Sequence, residues 1–283
     1  MKLNIGMRCH DLCPKMEMEA LFKEVKANGI HQIQLAFGKS VSNYDFSTGH
    51  YSPGFARYIR DELAKNEIHV AVLGCYINPT NPIEAKRREA VDRFIEHMKY
   101  ARILGADMVG TETGRLDADF QVTKESYTEE GYQLLLKSMR EIVDAAEKLG
   151  VIVGVEGVFN HTLYSPARMK RFLEDIHSPN VEVILDAVNL IHPDQVSPEA
   201  QRRVIDQAFA YYGDKISVLH VKDFVFEGEE QIFRHVGDGL FCYEPLMHHI
   251  KEKKPHIAML LENSSRDRFQ GDAAFLQEIF DRV

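Results

Sequence analysis

A chain of 283 residues, 45% of them hydrophobic, is long enough to bury one large core. Its 43 acidic residues outnumber its 34 basic ones, leaving a formal charge of −9, and an acidic chain repels phosphate backbones. Nucleic acid is therefore not an expected partner. Nor is a membrane, because no stretch approaches the ~18 uninterrupted apolar residues of a membrane helix.

Strand-like and helix-like segments alternate along the whole chain. Residues 3–7 read as a first strand. No apolar leader or cleavage site accompanies it, so no signal peptide is expected. A helix over 16–27 follows and stops at Asn28-Gly29. The second strand is 31–37. The second helix is 53–65, with Ser52 as N-cap and proline at its first position. Residues 68–73 make a third strand, and 82–104 a long helix ended by Gly105. The fourth strand is 107–111, and a helix over 128–149 stops at Gly150. Four more strands follow at 151–156, 181–186, 216–220 and 257–262. Helical patterns at 165–176, 198–212 and 243–253 separate them, and a helix over 271–283 closes the chain. The four cysteines, Cys9, Cys13, Cys75 and Cys242, form no CxxC pair and no dense framework. Ordinary thiols in a reduced, cytoplasmic compartment are the expectation.

Eight strand–helix units without a linker predict one α/β domain over residues 1–283, a (β/α)8 TIM barrel whose strands are buried on both faces. A doubly wound sheet also alternates, but it would spread strand-end residues along a crevice, whereas a barrel gathers them into one ring.

The last four strands each end on a metal-type ligand: Glu156, Asp186, His220 and Glu262, spaced 30, 34 and 42 residues apart. Each alone reads as a solvated strand end or a satisfied core histidine. Together, at the catalytic end of a barrel, three carboxylates and one imidazole form a hard divalent-metal site. Further polar residues share that end. Asn160 and His161 follow Glu156, and Asn189 and His192 follow Asp186. Lys222 and Asp223 follow His220, and Asn263 and Arg266 follow Glu262. Arg8, His10 and Glu112 decorate strands one and four. So polar a mouth suits a hydroxyl-rich ligand. Asn189, His192, His161, Glu112 and Arg266 are the candidate substrate contacts.

The segments Val155-Glu156-Gly157, Leu185-Asp186-Ala187-Val188-Asn189, His220-Val-Lys-Asp223, Gly237-Asp238-Gly239 and Leu261-Glu262-Asn263 carry a resemblance over nearly the whole chain. It resembles the sugar phosphate isomerase/epimerase family, the xylose isomerase-like barrels. That resemblance implies a Glu–Asp–His–Glu quartet on one divalent ion, most often manganese, with Glu156 and Glu262 moving a proton. The implied reaction is removal of a proton beside a carbonyl to give an enediolate. Return to the opposite face makes a ketose 3-epimerase, transfer to the adjacent carbon an isomerase, and loss of a β-hydroxyl an inosose dehydratase-type lyase. Magnesium, cobalt or zinc would suit the same donors. A sugar or cyclic polyol ketone is the expected partner, together with a second copy of the chain in a homo-oligomer.

Two other classes fit less well. Apurinic endonucleases share the barrel but place histidines after strands three and four and an Asp-x-x-His after strand six. Here those places hold Gly74-Cys75, Thr111-Glu112 and Asp186-Ala-Val-Asn189. A non-catalytic sugar-binding barrel would not need an intact quartet. Gly237-Asp238-Gly239 reads as a turn before the seventh helix rather than a phosphate loop. Arg266 and Arg268 are either phosphate contacts or solvated loop residues.

Overall fold

The computed structural model of the chain describes residues 1–228 and 230–283. Eight parallel strands close into one barrel: β1 (Asn4–Arg8), β2 (Gln32–Leu35), β3 (His69–Gly74), β4 (Ala106–Glu112), β5 (Ile152–Glu156), β6 (Val181–Asp186), β7 (Ile216–Val221) and, after a hairpin described below, β10 (Ala258–Leu261). Strand neighbours follow chain order, and β10 pairs with β1 to close the ring. The expected (β/α)8 architecture is therefore the one observed.

Long helices shield the outer face: α2 (Met18–Ala27), α4 (Pro53–Lys65), α5 (Glu84–Leu104), α6 (Glu129–Leu149), α7 (Pro166–Ile176), α8 (Pro198–Tyr212), α9 (Glu244–Lys253) and α10 (Phe269–Arg282). Three begin with a serine whose hydroxyl accepts an N–H in the first turn, followed at once by proline: Ser52, Ser165 and Ser197. Gly105 and Gly150 end α5 and α6 in the left-handed conformation that glycine adopts most easily. None of the described helices is long and apolar enough to cross a membrane.

Inside the barrel, Ala71, Val72, Met108, Ile184, Val218 and Leu260 form a packed plug. Gly110 makes room for it. A methyl group there would lie 2.6 Å from Val72 Cγ1 and 2.8 Å from Ile184 Cδ1. The plug is a floor, so the polar strand ends above it face a closed-bottomed mouth.

Two features depart from the sequence reading. Short helices α1 (Cys9–Leu12) and α3 (Phe37–Ser40) follow the first two strands. A hairpin, β8 (Asp223–Glu227) and β9 (Glu230–Arg234), stands between β7 and α9 with Phe224 opposite Phe233. Tertiary anchoring holds it: the Gln231 amide donates to the Val188 carbonyl at 3.0 Å.

Candidate active site

Side chains two apart on a strand share a face. His220 on β7 and Lys222, one residue past the strand's end, both turn into the mouth, beside Glu156, Asp186 and Glu262. Register sets the neighbours: Asp186 is the strand partner of His220, and Glu112 that of Glu156. Glu156, Asp186, His220 and Glu262 are all at most 3% exposed. Glu262 lies one residue past β10, but its N–H still donates to the Val221 carbonyl, so the ladder fixes it.

His220 Nδ1 lies 3.2 Å from Glu156 Oε2 and 3.0 Å from Glu262 Oε1, yet neither contact is aligned as a hydrogen bond. The other ring nitrogen, Nε2, sits 2.6 Å from the side-chain oxygen of Gln34 on β2. The Gln34 amide nitrogen in turn donates to the Tyr76 hydroxyl. An amide oxygen only accepts, so Nε2 carries a hydrogen and Nδ1 is the ring atom turned to the acids; between them it carries a proton as well, and loss of that proton would free its lone pair for a cation. Glu156, Asp186 and His220 each offer a donor atom within 4.8 Å of the other two. Glu262 flanks this trio, with Arg8 Nη1 on Oε1 at 3.0 Å and Lys222 Nζ on Oε2 at 2.8 Å.

This cradle fits a divalent cation. Lys222 Nζ bridges Asp186 Oδ2, at 2.7 Å, and Glu262, placing a positive charge between two buried acids. Asp186 Oδ2 has no aligned hydrogen-bond donor even so. Burial opposes charge on His220, but Glu262 and Glu156 outweigh it and raise the imidazole to about 9. Burial raises Asp186 to about 6 against the pull of Lys222. Glu262 is the contrast: burial would raise it, but Arg8, Lys222 and His220 hold it well below the usual carboxylate range. A hard ion on three carboxylates and one nitrogen would neutralise what the cluster now balances with protons and an ammonium.

The candidate substrate contacts divide. Asn189 belongs to the centre: its amide donates to Glu156 Oε1 at 2.7 Å and its backbone N–H to Asp186 Oδ1 at 3.1 Å. Glu112 and His161 line the cavity above, about 770 Å³ in volume, together with Arg8, Lys222 and Glu262. Burial, then Glu156 and Glu262, raise Glu112 to about 7. Burial, then Arg115, lower His161 to about 3, so it is neutral beside Glu112, 3.7 Å away. His192 and Arg266 are not part of the cavity wall. The His192 ring packs edge-on against Phe159, and the Arg266 guanidinium pairs with Glu24 at 3.0 Å, drawn outward toward α2.

Asp223 and Gly237-Asp238-Gly239 form a structural knot. Asp223 accepts the N–H groups of Phe224, Gly237 and Phe241 and the Tyr243 hydroxyl, while a methyl group on Gly239 would fall 2.4 Å from Asp223 Oδ1. Asp238 pairs outward with Arg268 at 2.8 Å. Gln34, Tyr76, Arg115 and the hairpin's Phe233 were not singled out in the sequence. The signal for Gln34 was a second glutamine at alternate spacing in the strand-like Gln32-Ile-Gln34-Leu35.

The family model described as the xylose isomerase-like TIM barrel matches residues 22–279. The inosose dehydratase of Histophilus somni (strain 129Pt) is 22% identical over 206 residues, covering 65% of this chain and 66% of that protein, so the match spans just under two thirds of that relative. The solved L-ribulose 3-epimerase has a TM-score of 0.74 at 14% identity, covering 100% of this chain and 95% of that one. The IOLI protein, solved with a binding zinc atom, has a TM-score of 0.69 at 15% identity, covering 100% and 96%. At these identities the two structures speak for the fold.

Proposed function

This chain belongs to the xylose isomerase-like TIM barrel family, and from that premise we propose that it is a divalent-metal-dependent sugar isomerase/epimerase, in the finer reading a ketose 3-epimerase. One observation carries the proposal: Glu156, Asp186 and His220 converge, Glu262 flanks them, and Gln34 turns Nδ1 of His220 into the cluster. Glu156, Asp186, His220 and Glu262 would hold the ion, with manganese the first expectation. The ion would supply positive charge where a substrate carbonyl oxygen becomes negative.

The protein's own groups do the rest. β6 and β7 separate the strands that carry Glu156 and Glu262, so the two carboxylates stand on either side of His220. Glu262, kept ionised by Arg8 and Lys222, accepts the proton from the carbon beside the carbonyl. Glu156, oriented by Asn189, serves the opposite face. Asn189, His161 and Glu112 orient hydroxyl groups. His161, being neutral, both donates and accepts.

A lyase reading is also supported, by Glu112. This fourth carboxyl of the site, raised to about 7, holds a proton near neutrality and can give it to a departing β-hydroxyl. The relative named inosose dehydratase points the same way.

The test is turnover of a ketose panel by the manganese-loaded protein. Chelation should remove it, and Glu156→Gln or Glu262→Gln should each lower it by about 10²–10⁴-fold with the fold intact. Turnover that survives complete demetallation would exclude the metal, and full activity in either variant would sink the proton relay.

A further inference from the structure

The cavity extends beyond the acidic cluster into an apolar rim that the reaction itself does not need. Phe120 and Val122, on the loop between β4 and α6, are 38% and 55% exposed and line the cavity. Phe233 of the hairpin, 38% exposed, lines it from another part of the chain, with its ring centroid 4.2 Å from Lys222 Nζ. Large apolar side chains brought together at one mouth from separate loops mark a binding surface more often than chance exposure does.

The backbone at Phe120 is the second observation. Its φ is +63°, a left-handed conformation that bulky residues rarely adopt and that costs about 1–2 kcal/mol. Local contacts hold it there. Arg115 Nη1 donates to the Phe120 carbonyl at 2.8 Å, and Asp117 Oδ1 accepts the N–H groups of Asp119 and Gln121. The guanidinium of Arg115 lies over the ring at 4.7 Å, and the ring meets His161 edge-on at 5.3 Å. A strained conformation kept by several contacts, presenting an aromatic ring to a cavity, points to use by a ligand.

The cavity volume of about 770 Å³ lies in the upper part of the ~300–1,000 Å³ range that suits drug-sized ligands. The acidic end takes the reacting keto-sugar, which leaves the apolar rim for something attached to it. We propose that Phe120 and Val122 form a distal subsite, with Phe233 at its junction with the acidic cluster, so that the substrate is a keto-sugar carrying an apolar group at the end remote from its carbonyl: an aryl or alkyl substituent, or the C–H face of a second sugar ring. The inference rests on the proposed keto-sugar chemistry of the same cavity, and continuity with that cavity argues for this occupant over another protein.

The test compares D-fructose, 6-O-benzyl-D-fructose and the disaccharide isomaltulose, a ketose with glucose on its far end. Binding is read by saturation-transfer NMR and by titration, independently of turnover. The substituted ketoses should bind at least about tenfold tighter than D-fructose, with saturation strongest on the substituent. The benzyl and glucosyl arms separate an aryl pocket from a sugar-stacking platform. Phe120→Gly keeps the left-handed backbone without its strain, so it should fold at least as stably while the ratio of affinities falls toward one. Val122→Ser should lower the ratio without touching the loop backbone. Equal affinity for all three probes would overturn the proposal even if D-fructose is turned over. Preferential, Phe120-dependent binding without proton exchange would uphold the subsite and count against the reaction. A wild-type dimer that Phe120→Gly converts to monomer would assign the rim to a second copy of the chain and also overturn the proposal.

Discussion

Replacing Lys222 by methionine keeps much of its bulk and removes one buried charge. The ammonium lies 2.7 Å from Asp186 and 2.8 Å from Glu262, with all three side chains at most 3% exposed. Each contact is worth roughly 6 kcal/mol by Coulomb's law at an effective dielectric of about 20, largely offset by the cost of burying the ammonium. Without it two acids face each other, and the cheapest relief is to protonate one. Asp186, already raised to about 6, would take that proton. Holding it protonated at pH 8 costs about 3 kcal/mol, at about 1.4 kcal/mol per unit, which caps the loss. A carboxyl whose folded value is raised favours the fold below its unfolded value and loses that advantage as pH rises through the folded one. The penalty should therefore be largest at pH 8 and shrink toward about 1 kcal/mol or less near pH 6. Calorimetric melting of the metal-free proteins should show Lys222→Met about 6–12 °C below wild type at pH 8 and much closer at pH 6. Manganese should raise the variant's Tm more than the wild type's, because no ammonium competes for the cradle. Equal melting temperatures at pH 8, or a drop that ignores pH, would refute the idea that Lys222 stands in for a cation.

Gln34→Leu removes the acceptor that fixes the His220 ring, and manganese affinity measured by titration should fall about 10–100-fold with little change in Tm; unchanged affinity would make Gln34 a bystander. His161, lowered to about 3, must be neutral to stay buried, so its contribution is complete above about pH 6.5 and is lost as pH falls toward 3. At pH 5 that amounts to about 2 kcal/mol, and the stability curve of His161→Gln should lack this acid limb in urea unfolding at pH 7 and pH 5. Gly239→Ala pushes a methyl group against Asp223 Oδ1 and the Phe224 carbonyl, each 2.4 Å away, and should cost about 1–3 kcal/mol by the same unfolding assay; a neutral result would dissolve the knot described around Asp223.

The barrel was legible because it is written in local signals. Serine–proline starts mark α4, α7 and α8, glycine stops mark α5 and α6, and strands buried on both faces read as apolar runs broken by one polar end. Strand-end position also made Glu156, Asp186, His220 and Glu262 visible, because register and barrel closure are consequences of the same alternation. What the sequence hid depends on distance. Gln34 reaches His220 across 186 positions. Arg266 looked like a mouth residue from its neighbours, but Glu24 draws it away. The hairpin over the site holds its place through Gln231 on Val188, a contact no local pattern announces. Asp223 and Lys222 adjoin in the sequence, yet one ties a loop and the other completes the charge balance, because the chain leaves the barrel between β7 and the hairpin at this point.

The most direct measurement is proton NMR of the manganese-loaded protein with free and substituted ketoses in D2O, wild type beside Glu156→Gln and Glu262→Gln. Deuterium entering C3 with the 3-epimer growing in is the predicted result for the wild type, with epimer formation lost from both variants and exchange and epimer both lost from the demetallated protein. No exchange into any ketose by the loaded wild type, exchange that survives loss of the metal, or epimer formation that survives loss of either glutamate would contradict it.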